Sequence, residues 1–221
     1  MSDPTVVLCF GDSNTWGYDP VQDRRLGPRE RWPGVLQDAL GDSFLVVEEG
    51  LPGRTTVWDD PTDDDKNGSR HLRPLLDSHQ PDVVILLLGT NDLKHQFGLS
   101  ADDISRGVAR LIRLTQERPP IGAEQIPKVL VVCPPPIEEK GVLASLFSGG
   151  ATKSRGLAQA YRLVAANTGS RFFDADAIIH ASGSDGVHWE ARQHVVLGQA
   201  LSALVRQQYP QLGGGGGLGA P

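Results

Sequence analysis

The sequence predicts an α/β fold with a parallel sheet covered by helices on both faces. Two observations carry this. Five short apolar runs alternate along the chain with segments of helical periodicity, the pattern of consecutive β–α units. Several runs, Val6-Val7-Leu8-Cys9-Phe10 first among them, are apolar at every position, as strands buried on both faces require. The 221 residues suit one domain large enough to bury a substantial core.

The first strand is expected over residues 5–10, and it breaks abruptly into Gly11-Asp12-Ser13. In open parallel sheets ligands bind outside the carboxyl ends of the strands, which puts the Ser13 hydroxyl where chemistry takes place. Alone, such a serine more often only satisfies turn hydrogen bonds. Residues 14–31 form an unusually long link containing Gly17, Pro20, Gly27 and Pro28. Trp32, Val35, Leu36, Ala39 and Leu40 then share one face of a helix. Further strands are expected over residues 45–49, 83–88, 128–133 and 171–174. Between them Leu72, Leu75 and Leu76 mark one helix, and Ile104, Val108, Leu111 and Ile112 another. Leu157, Ala160, Tyr161, Val164 and Ala165 mark a third. A last helix over residues 190–209 turns Leu197, Leu201, Leu204 and Val205 inward. The links 51–66 and 134–152 are also long. Like 14–31 they follow strands, and are expected on the ligand-binding edge as lids, pocket walls or subunit contacts. Residues 1–212 read as one domain and residues 213–221, mostly glycine, as a disordered tail.

Composition excludes several function classes. The net charge is −6 and no basic stretch stands out, which argues against nucleic acid as a partner. No apolar run is long enough to span a bilayer, so no membrane association is expected. The start Met1-Ser2-Asp3-Pro4 lacks the marks of a secretory signal. Cys9 and Cys133 are expected as free buried thiols in a reducing, cytoplasmic setting. No Cys/His spacing suits zinc. Residues 63–68 match the opening of a calcium loop, but Pro74 occupies the position of its closing glutamate, so the segment reads as a solvated acidic turn.

Four motifs converge on the same edge. After the second strand comes Glu49-Gly50-Leu51-Pro52-Gly53-Arg54-Thr55-Thr56, after the third Gly89-Thr90-Asn91-Asp92, and before the last helix Asp185-Gly186-Val187-His188. Ester hydrolysis by Ser13 needs a base, because a neutral hydroxyl is a poor nucleophile. His188 can supply it, with Asp185 fixing the imidazole tautomer. The backbone N–H groups of Ser13 and Gly53 and the amide of Asn91 are candidate oxyanion donors. Gly53 suits that role because a residue without Cβ lets the backbone approach a substrate closely. Each motif also has a plainer reading: His188 as a packing residue near a helix start, Asn91-Asp92 and Asp185-Gly186 as ordinary turns. His95 is the one rival base; His71, His79, His180 and His194 read as surface or helix residues. Trp16, Tyr18, Lys94, Phe147, Val187 and Trp189 are candidate pocket-lining residues. The four tryptophans (Trp16, Trp32, Trp58, Trp189) fall in or beside segments leaving this edge, where several of them would form an apolar mouth.

In order and spacing these blocks resemble the SGNH, or GDSL-type, hydrolases. Residues 9–17 and 49–56, together with Asp59-Asp60-Pro61-Thr62-Asp63, Pro134-Pro135-Pro136 and Phe147-Ser148-Gly149-Gly150, are similar to a bacterial arylesterase/acyltransferase branch. The resemblance implies a three-layer α/β/α sandwich with a five-stranded parallel sheet in the flavodoxin-like order 2-1-3-4-5, and catalysis without metal or cofactor. It assigns Ser13 as nucleophile, Asp185 and His188 as its partners, and Gly53 and Asn91 to the oxyanion hole. It also implies a homo-oligomer. Two departures stand out. Asn14 replaces the leucine of the GDSL signature, and Glu190 stands where the last helix usually starts with Ser or Thr, a weaker cap.

The leading expectation is therefore a serine esterase for small acyl esters, with a small-molecule ester as substrate and water or an alcohol as acyl acceptor. A carbohydrate O-acetylesterase would use the same residues. A non-catalytic binding module is the reading from another class, and the retained Ser13 and His188 weigh against it. Neither a phosphate-binding glycine loop nor a G-x-S-x-G elbow follows any strand.

Overall fold

The computed structural model describes residues 3–209; the tail expected at 213–221 lies outside them. Its strands are β1 (Thr5–Gly11), β2 (Tyr18–Asp19), β3 (Arg24–Arg25), β4 (Phe44–Gly50), β5 (Val83–Leu87), β6 (Lys128–Cys133) and β7 (Arg171–Asp174). Five of them form a parallel sheet in the order β4-β1-β5-β6-β7. Counting only these five in chain order, that is 2-1-3-4-5, the flavodoxin-like arrangement. The helices are α1 (Ser13–Trp16), α2 (Trp32–Leu40), α3 (Gly68–His79), α4 (Ala101–Gln116), α5 (Gly150–Ser154), α6 (Leu157–Thr168) and α7 (Ala191–Gln208).

Side chains alternate between the two faces of a strand, and the continuous apolar runs supply both. Leu8 and Phe10 of β1, Val84 and Leu86 of β5, and Val129 and Val131 of β6 pack against α3, α4 and α6 through Leu72, Leu76, Ile104, Val108, Leu111, Leu157 and Tyr161. Val7, Cys9, Val83, Ile85, Leu87, Leu130 and Val132 point the other way, onto Trp32, Leu36 and Leu40 of α2 and Leu197, Leu201 and Val205 of α7. The result is three layers. Cys9 and Cys133 are free, buried, and on opposite faces of the sheet with β5 between their strands.

Local chemistry sets the helix starts. Ser100 and Asp103 form a reciprocal capping box at α4, side chain to backbone in both directions, worth about 1 kcal/mol. At α7 the N-cap Glu190 makes no capping bond; its carboxylate instead accepts from the Ser182 hydroxyl. The link over residues 14–31 is not irregular throughout. It carries α1 and the antiparallel ribbon β2–β3, which lies on the carboxyl side of the sheet.

Candidate active site

Ser13 opens α1 directly beyond the end of β1. Asp12 caps that short helix, accepting from the Asn14 N–H at 2.9 Å. Gly50, at the end of the adjacent β4, makes the close packing of α1 possible, since a Cβ there would lie 2.2 Å from the Trp16 nitrogen. The serine turn is thus pressed against the sheet edge by a residue with no side chain.

The segment before α7 returns to the same place. Ser13 Oγ lies 2.9 Å from His188 Nε2, and His188 Nδ1 lies 2.6 Å from Asp185 Oδ2. The other Asp185 oxygen accepts from the N–H groups of Val187 and His188, both at 2.9 Å. Burial works against the charge on Asp185, but the bond from His188 and these two N–H groups outweigh it and hold the carboxyl below its usual range. The carboxylate therefore stays ionised and fixes the imidazole with Nδ1–H toward itself, leaving Nε2 to face the hydroxyl.

Asn91 begins a single 3₁₀ turn beyond β5 and donates through Nδ2 to the Arg54 carbonyl at 3.1 Å, which leaves its second amide N–H available. Gly53 has φ +83°, a left-handed conformation that glycine adopts without strain. That conformation is the reason for glycine here; a Cβ would meet only the Lys66 side chain, at 3.2 Å. The backbone N–H groups of Ser13 and Gly53 have no partner among the described residues. Asp92 ties the two segments together, accepting from the Thr56 N–H at 3.1 and 3.0 Å and from the Thr56 hydroxyl. Burial raises the carboxyls of Asp12 and Asp92 to about 6.

These groups surround one cavity of about 310 Å³, lined by Ser13, Gly53, Asn91, Asp185 and His188 together with Tyr18, Lys94, Phe147 and Val187. The Tyr18 ring lies against His188 with centroids 4.5 Å apart. The Tyr18 hydroxyl donates to Asp23 Oδ1 at 2.8 Å.

Residues 9–195 match the profile of the GDSL-like Lipase/Acylhydrolase family. The chain belongs to that family. It is similar to a solved aryl esterase of M. smegmatis, at 41% identity and a TM-score of 0.88 over 92% of this chain and 99% of that one. It is likewise similar to a carbohydrate acetylesterase from Sinorhizobium meliloti, at 37% identity and a TM-score of 0.87 over 93% and 100%. A curated arylesterase from Vibrio mimicus is 36% identical over 90 residues, which is 39% of this chain and 37% of that protein's length.

In this GDSL-family chain the expected aromatic mouth is corrected. None of the four tryptophans is among the lining residues. Trp189 and Trp32 are buried in the α2/α7 side of the core, where their large apolar surface belongs. Trp58 packs against the opposite core, and Trp16 lies under the Arg25 guanidinium at 4.8 Å. The apolar wall comes instead from Val142, Leu143, Leu146 and Phe147. The rival base His95 is exposed and outside the lining. His194 is a helix residue, in α7, and it is fully buried between Trp189 and the start of α2.

Sequence reasoning gave no role to Arg54. It is buried, donates to the carbonyls of Gly11 at 2.9 Å and of Glu49, and stacks on Phe10 at 4.2 Å. Burial lowers its pKa to about 10, and it remains charged. The available signal was a lone arginine between Gly53 and two threonines, directly after a strand.

Proposed function

We propose that this chain is a serine esterase that cleaves small acyl esters through an acyl-enzyme on Ser13. The observation that carries the reading is the continuous hydrogen-bonded line from Asp185 through His188 to Ser13, opening on a cavity with unpaired N–H donors. In the proposed reaction His188 Nε2 takes the Ser13 proton as Oγ bonds to the ester carbonyl carbon. The carbonyl oxygen becomes an oxyanion held by the N–H groups of Ser13 and Gly53 and the Asn91 amide. The carbonyl re-forms, the C–O bond to the alcohol breaks, and His188 returns the proton to the departing oxygen. Water, activated by the same imidazole, then releases the acid and regenerates Ser13. Similarity to an aryl esterase and to a carbohydrate acetylesterase supports this reading.

The apolar wall of Val142, Leu143, Leu146 and Phe147 supports acyl transfer as well. Desolvating an alcohol into such a site costs less than desolvating water, so an alcohol present beside water captures part of the acyl group. Val142, 90% exposed at this wall, also makes residues 134–152 the contact we expect in a homo-oligomer, with light scattering as its measure.

Ser13→Ala is the direct test. It should lower kcat on phenyl acetate by about 10⁴-fold or more. A folded variant within tenfold of the parent would overturn the assignment.

A further inference from the structure

Apart from the Asp185–His188 pair, Lys94 is the one charged side chain among the residues lining the cavity. Its position is fixed. The backbone closes the turn that starts at Asn91, with Lys94 N donating to the Asn91 carbonyl at 3.2 Å, and His95 N donates to the Leu146 carbonyl in the apolar wall at 2.8 Å. The side chain is 12% exposed and its Nζ lies 3.4 Å from Asp60 Oδ2. Asp60 is buried and itself locked, its other oxygen accepting from the Thr62 N–H at 3.0 Å and hydroxyl at 2.7 Å.

An ammonium carries three N–H donors. Among the described residues Asp60 is the single partner of this one, and the contact is long. Two donors therefore remain free on a residue that lines an otherwise hydrocarbon wall. Because Asp60 already balances the charge, the position does not call for an anion. It calls for neutral acceptor oxygens, hydroxyl or ring ether. A small acyl group such as acetyl has no further oxygen to offer, so the acceptor must come from the alcohol half of the ester.

We propose that Lys94 is a specificity-determining residue that reads oxygen on the alcohol part of the ester. The proposal rests on the esterase reading above. A hydrocarbon alcohol of the same shape leaves the ammonium without its partner, and sites built to hydrogen-bond a substrate discriminate strongly against the analogue lacking that group.

The test compares two acetates of secondary alcohols on six-membered rings, a methyl mono-O-acetyl-xylopyranoside and cyclohexyl acetate. The wild-type protein should show a kcat/KM about tenfold or more in favour of the xyloside, the size of one charge-assisted hydrogen bond. Lys94→Met, which keeps the stem length, should erase most of that preference through a higher KM for the xyloside, and Lys94→Arg should restore part of it. A wild-type protein without the preference, a Lys94→Met variant that keeps it, or one that loses rate equally on both esters would overturn the proposal. Thermal unfolding establishes that the variants are folded, and the wild-type comparison decides even if they are not. Efficient cleavage of cyclohexyl acetate with no gain from the xyloside would remove the Lys94 proposal alone. Cleavage of phenyl acetate but of neither ring acetate would also overturn it, and failure on all three esters would remove the esterase reading too.

Discussion

The Asn91 side-chain amide donates to the Arg54 main-chain carbonyl at 3.1 Å, while the Arg54 guanidinium turns back to the carbonyls of Gly11 and Glu49. One buried arginine thus joins the ends of β1 and β4 and presents the acceptor that aims the Asn91 amide. The serine turn and the amide are held in register by the same residue.

Arg54→Met should therefore act on rate as well as on stability. The Gly11 carbonyl keeps the Leu51 N–H at 3.1 Å, so loss of the guanidinium should cost about 1–2 kcal/mol in denaturant unfolding. Asn91→Ala should lower kcat on phenyl acetate by about 10²–10³-fold with little change in KM. If Arg54 works through Asn91, the double variant loses clearly less rate than the product of the two single losses. Fully multiplicative losses would show that the arginine supports the fold without directing the amide.

The layers and the meeting of Ser13, His188 and Asp185 at one edge were legible in the sequence. Fully apolar strands and turn motifs at their carboxyl ends depend on local pattern and on the topology of parallel sheets. Side-chain destinations within the long links were not legible. Trp189 and Val187 flank His188 in sequence, yet one is sealed in the core and the other borders the cavity as well as the opposite core. Residues two apart share a face only on a regular strand; residues 187–189 are not one, so the path of the chain decides which side chain meets the site. His194 illustrates the same limit: α7 presents it to Trp189 and α2, a tertiary contact that helical spacing alone does not disclose.

Tyr18 should matter through its ring. The ribbon that carries it is tied to the Asp185 segment by the Ser184 hydroxyl on the Pro20 carbonyl at 3.2 Å, and Asp23 takes a left-handed φ of 47° where it receives the Tyr18 hydroxyl. Removing the ring in Tyr18→Leu frees the imidazole to swing and should lower kcat about tenfold, with Tyr18→Phe keeping most of the rate. Steady-state kinetics on phenyl acetate separates these cases. Equal losses in the two variants would assign the effect to the Asp23 bond and not to the contact with His188.

His194 should make the fold sensitive to acid. It is fully buried, its Nδ1 accepts from the Trp32 N–H at 3.3 Å, and Nε2 has no partner among the described residues. Burial pushes its pKa down to about 4, whereas in the unfolded chain it sits near 6.5. Between those values the unfolded chain binds the extra proton, so stability rises with pH across the window and is flat above it. The shift corresponds to about 3 kcal/mol lost on acidification. Asp12 and Asp92 run the other way: with carboxyls raised to about 6, the folded state takes up protons first as pH falls. The total pH profile therefore mixes opposed contributions, and the informative quantity is wild type minus variant. His194→Asn keeps an acceptor for Trp32 and removes the titration. It should be less stable than wild type at pH 7, and that gap should shrink steadily as urea unfolding is repeated from pH 6.5 down to 4.5. A gap that stays constant over this range would mean that His194 titrates alike in both states, and that its burial does not set the acid limit of the site beside it.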